Sequence, residues 1–258
     1  LSVYADRLRP IGMLDLIVPP DRVHAAGCVI TAQGWQDLAP TNVTHGAVAP
    51  WAAVRSFRSA VGQRIDLHGH VAAFWPSQAM DAAAWARAQS LSIGDQPMQA
   101  VSAADQLARS CRAAMTPGPA ALIALADATA LLARAEVDWD AVIETATLGH
   151  VGRTLLHVCE GVEALLGIRA PADVLARLRA LPLSPFEVRE RRCDLPCLGQ
   201  PSRAQALAAA YAHYRRVAAA HGLAPRWGDF LTMVQGRWGC ANRWELWQRA
   251  ARWLIQRR

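Results

Sequence analysis

The chain has 258 residues, 53% hydrophobic and 19% charged, with a net charge of +6 and a sequence pI of about 9.4. That composition excludes a disordered polymer, and the length suffices to bury a sizeable core as one domain or two. Every basic residue is Arg. Guanidinium forks suit phosphate and carboxylate groups, although Arg, Ala and Leu richness has a plainer explanation in genomic composition.

No basic opening followed by a long apolar core marks a secretory signal. The longest apolar segment, Ala120 to Ala133, is too short to span a bilayer and carries Asp127. A cytoplasmic protein without membrane contact is the expectation. The chain opens on Leu1 and not on Met, so its true start is expected upstream.

Arg9 to Val18 (RPIGMLDLIV) is a short apolar run with one acid, Asp15, inside it. Ile17 and Val18 favour a strand, and Pro19-Pro20 stops it. An acid there needs a metal, a basic partner or solvent, because an unpaired buried carboxylate is costly. Asp21 is placed to cap a helix that ends near Gln33 with Gly34 as its stop, its apolar stripe being Val23, Ala26 and Ile30. Gln36 to Pro50 reads as loop.

Val54–Ser59 and Arg64–Val71, joined around Gly62-Gln63, read as a β-hairpin. In the second arm Ile65, Leu67 and Val71 share one face, while Asp66, His68 and His70 share the other. That trio would suit a transition metal, its nitrogen ligands being softer than Mg²⁺ would choose.

From Ser102 onward only helices are expected. Ser102 to Asp105 is a loose capping box, Pro117-Gly118-Pro119 separates two helices, and Asp138 caps a helix ending near Gly149. Further helices run over Val151–Leu166, stopped by Gly167, and from Pro171 to about Ala180. Leu181 to Pro201 reads as a linker, followed by helices over Ser202–His221 and Asn242–Arg258. In the last, Trp244, Trp247, Ala251 and Leu254 share one side, and most Trp residues are expected in the core. Cys193 and Cys197 are the close-set thiols, but without a second pair they point to free cysteines and not to zinc.

The segments Arg9–Val18, Gly34-Trp35 and Ile65–His68, with Leu125–Asp127 and Asp138–Asp140 behind them, resemble the uncharacterised nucleotidyltransferase family of the polymerase-β-like superfamily. The likeness covers most of residues 1 to 180. It implies an α+β fold: a nucleotidyltransferase-like mixed sheet with flanking helices over residues 1–100, incomplete at its N-terminus, followed by a helical domain over 101–258.

The resemblance further implies transfer of a nucleoside monophosphate from a nucleoside triphosphate to an unidentified acceptor, with Mg²⁺ or Mn²⁺ as cofactor. Such enzymes hold the metal with two acids spaced i, i+2 on one strand and a third acid on a neighbour, a layout suited to oxygen-preferring cations. Carried over, Asp15 and Asp66 are the catalytic and metal-binding acids, and Asp66 also helps deprotonate the acceptor hydroxyl. Arg9 and His68 are substrate-binding.

The first acid position holds Met13, whose thioether is a poor Mg²⁺ ligand. The phosphate-holding Gly-Ser turn is expected upstream of Leu1. Met13 therefore sets a weakened enzyme against an inactive binding or scaffold protein. A second alternative, a nucleic-acid binder, rests on the Arg and Trp residues of the last helix.

Overall fold

The computed structural model describes residues 12–38, 54–72, 77–115, 120–133, 136–184, 187–188, 203–220, 222–237, 240 and 242–255. Arg9, Cys193 and Cys197 lie outside them. The described residues fall into two compact units, one within Ser77–Val188, the other within Ile11–Pro76 and Arg189–Arg258.

The second unit carries the main sheet. The strands β1 (Leu14–Ile17), β2 (Gln36–Asp37), β3 (Val54–Arg58) and β4 (Arg64–His68) lie in the order β1-β4-β3-β2. β4 pairs parallel with β1 and antiparallel with β3, so the sheet is mixed. The expected hairpin forms: its turn is closed by the Gly62 N–H donating to the Ser59 carbonyl at 3.0 Å.

Between β1 and β2 a single 3-10 turn, Pro20–Arg22, leads into α1 (Val23–Ala32). Asp21 is part of that turn and the expected side-chain cap does not form, because Pro19-Pro20 tightens the entry and starts the helix later. Gly34 stops the unit as expected, in a left-handed conformation with φ of 82°.

One face of the sheet buries Phe57, Ile65 and Leu67 against Val23, Ala26 and Ile30, the stripe expected on α1. Arg55 also lies on this side. Its guanidinium pairs with Asp37 and rests over the Phe57 ring at 5.3 Å. Gly27 makes room for it: a Cβ there would fall 2.3 Å from Arg55 Nη1.

The same unit includes α8 (Arg203–Ala220), α9 (Trp227–Arg237) and α10 (Arg243–Ile255), which bury Tyr214, Val217, Phe230, Met233, Val234 and Leu246 together. The Tyr214 hydroxyl donates to the Arg226 carbonyl at 2.7 Å and accepts the Arg226 N–H at 2.6 Å, fixing the start of α9. Helix α9 was not expected from the sequence, yet Phe230, Met233 and Val234 have helical spacing.

The expected Trp core is corrected: none of the described Trp side chains is buried. On α10 the buried position is Leu246, whereas Trp244 and Trp247 are 70% and 55% exposed. The helix turns its other face inward, towards Phe230 and Met233 on the shared core.

The unit within Ser77–Val188 contains α2 (Gln78–Ala86), the hairpin β5 (Gln89–Ile93) and β6 (Gln96–Ala100), and α3 (Ala103–Ala114). It continues with α4 (Ala120–Leu132), α5 (Trp139–Leu148), α6 (Gly152–Leu166) and α7 (Ala172–Ala180). β5 and β6 turn at Gly94-Asp95, with Gly94 at φ of 59°, a two-residue hairpin signal.

Ser102 and Asp138 cap their helices as expected, accepting from the Asp105 N–H at 3.2 Å and the Ala141 N–H at 3.0 Å. Every described element after Ser102 is a helix. No helix among the described residues is long and apolar enough to cross a membrane.

Candidate functional site

The face of the sheet opposite α1 is polar. Strand alternation places Arg64, Asp66 and His68 on it, pointing away from Ile65 and Leu67. Parallel register then sets Asp15 directly beside Asp66, and Ile17 beside His68. Two acids that are 51 positions apart in the chain thus occupy neighbouring strands at one level.

Their surroundings differ. The Asp15 side chain is 42% exposed and its Oδ1 lies 3.2 Å from His68 Nε2. Asp66 is buried, and Arg64 grips both of its oxygens, with Nε to Oδ1 at 2.8 Å and Nη2 to Oδ2 at 3.1 Å. Arg64 Nη2 also donates to Ser56 Oγ at 3.0 Å. Ser56 is the β3 residue paired with Asp66, so three strands contribute to this cluster.

His68 Nδ1 is buried with no hydrogen-bond partner among the described residues. A buried polar atom left unmatched costs free energy and marks a position that a ligand group can fill. Met13 stands just before β1 and is 45% exposed.

The donor set does not fit a two-ion centre. Asp15 and Asp66 stand side by side in register, but Arg64 occupies both oxygens of Asp66, which leaves that carboxylate no free oxygen for a cation. Among the described residues no three His, Cys, Asp or Glu side chains are grouped to hold a metal ion. This also corrects the transition-metal trio: β4 ends at His68, so alternation no longer governs where His70 points.

Sequence reasoning did not assign Arg64 or Ser56. The signal was present, since Arg64 is two residues before Asp66 and a strand repeats every two. Ser56 follows from the hairpin register about Gly62.

The family model for uncharacterised nucleotidyltransferases matches residues 3–167, about two-thirds of the chain. The chain belongs to that family. Searches of the curated proteins and of the solved structures return no match. Membership supports a nucleotidyltransferase-like function with a nucleoside triphosphate as the implied substrate, in a family that generally uses divalent metals. The match includes β1, α1, β4 and the helices as far as α6, and leaves α8, α9 and α10 outside it.

Proposed function

We propose that the polar sheet face binds a nucleoside triphosphate, and that transfer of its nucleotidyl group to an acceptor is weakened in this chain. The observation that carries this is the register of Asp15 against Asp66 on adjacent parallel strands, with His68 beside them. Paired acids on one sheet face are what the family's chemistry requires, and His68, held against Asp15, adds a polar group to that face. Arg9 is assigned to the phosphates on the family resemblance alone.

Weakening follows from Met13. A carboxylate at that position would complete an i, i+2 pair with Asp15, and the thioether does not. The test is turnover of α-labelled nucleoside triphosphates with Mg²⁺ or Mn²⁺ by the natural chain and by Met13→Asp. Turnover is expected to rise by at least about tenfold in the variant, the scale of a single positioned catalytic group. Equal turnover would contradict the assignment of Met13 to the metal edge.

A second reading, a binding or scaffold protein without transfer, is favoured by the two-pronged hold of Arg64 on Asp66. It is separated by the same assay: nucleotide binding with no turnover in either protein supports it, and turnover by the natural chain excludes it.

A further inference from the structure

We propose that Arg64 is a built-in cation of this site, occupying Asp66 in place of a divalent ion so that the site accepts triphosphate without one. The inference rests on the nucleotide-binding reading of the sheet face, and its basis is the misfit between the donor set and a metal centre.

Both oxygens of Asp66 meet Arg64, through Nε at 2.8 Å and Nη2 at 3.1 Å. A second bond from Nη2 to Ser56 Oγ at 3.0 Å holds the guanidinium from the neighbouring strand. A divalent ion at Asp66 would have to displace this fork or sit against its positive charge, and like charges at such range repel strongly in a partly buried place.

The fork is not spent. A guanidinium has five N–H donors, and three are used on Asp66 and Ser56. The two on Nη1 have no partner among the described residues. With the Arg64 side chain 45% exposed, these donors are accessible to an incoming phosphate oxygen.

The deciding experiment titrates Mn²⁺ alone, followed by electron paramagnetic resonance, against the natural chain, Arg64→Gln and Arg64→Lys. The natural chain is expected to bind Mn²⁺ weakly, and Arg64→Gln about tenfold or more tightly once both oxygens of the Asp66 carboxylate are freed. Arg64→Lys keeps the charge and is expected to keep Mn²⁺ out, a control that does not depend on how Arg64→Gln folds. Mn²⁺ binding by the natural chain as tight as by Arg64→Gln, or tight binding by Arg64→Lys, overturns the proposal.

A second arm measures ATP by equilibrium dialysis in EDTA and in Mg²⁺. Similar affinity in both, falling about tenfold in EDTA for Arg64→Gln, supports a built-in cation. ATP binding only with Mg²⁺ overturns it and leaves the nucleotide reading intact. No ATP binding under either condition removes the nucleotide reading, and with it the phosphate-accepting half of this proposal, while the Mn²⁺ arm still decides what Arg64 does at Asp66.

Discussion

Two aspartates in this molecule are each held by a forked arginine, and their surroundings differ. Asp105, at the start of α3, is 0% exposed. Arg87 reaches it with Nε at 3.3 Å and Nη2 at 2.7 Å, and the Ser102 and Thr145 hydroxyls each donate to it at 2.7 Å. Arg87 Nη2 also donates to Thr145 Oγ1 at 2.9 Å, and Arg87 Nη1 pairs with Glu144. Hydrogen bonding to Asp105 raises the Arg87 pKa further, so the guanidinium keeps its charge throughout the neutral range. Asp66 has the same fork but little else: its arginine is half exposed, and a second carboxylate stands beside it. A carboxylate saturated by its own fold ties elements together. One that faces another acid, with donors to spare around it, is the one proposed here to meet a ligand.

Substitutions can break that comparison. Asp105→Ala leaves Arg87, Ser102 and Thr145 without their shared acceptor and is expected to cost about 3–5 kcal/mol in urea unfolding. A loss below about 1 kcal/mol would mean the network is not structural. Thr145→Val removes one hydroxyl from the same cluster, with an expected loss of about 1–3 kcal/mol. Asp66→Asn is expected to cost only about 1 kcal/mol, because its half-exposed arginine can turn to water. A larger loss would place Asp66 in the same structural class as Asp105.

Thiol chemistry tests burial without changing the chain. Cys28 is exposed, whereas Cys111, Cys159 and Cys240 are buried. Cys111 is pushed well up in pKa, first by its hydrogen bond with Cys159 and then by burial. An aromatic disulfide reagent is expected to modify Cys28 in the native protein, and Cys111, Cys159 and Cys240 only on unfolding. Native modification of Cys111 would show that α3 and α6 open readily. The smallest effect belongs to Trp244→Ala, expected within about 0.5 kcal/mol because the ring contacts mostly solvent.

Local pattern made much of this legible. Arg64–His68 alternates, Val23, Ala26 and Ile30 form the stripe that packs on the sheet, and Ser102 and Asp138 cap their helices. Pairing of β1 with β4 is non-local, so no periodicity could foretell that Asp15 and Asp66 share a level or that His68 meets Asp15. The Gly94-Asp95 turn was readable, and so was the apolar spacing in α9, although the latter lay among Pro225, Gly228 and other residues usual in loops. The Trp face of α10 was misassigned for a different reason. Its pattern is apolar on two sides, and only tertiary packing decides that Leu246 goes inward.

An amide chemical-shift titration with ATP tests the central assignment most directly. Saturable changes concentrated in Leu14–Ile17, Ser56 and Arg64–His68 are the predicted result. No saturable change, or changes gathered around Trp244 and Trp247 instead, would contradict a nucleotide site on the polar face of the sheet.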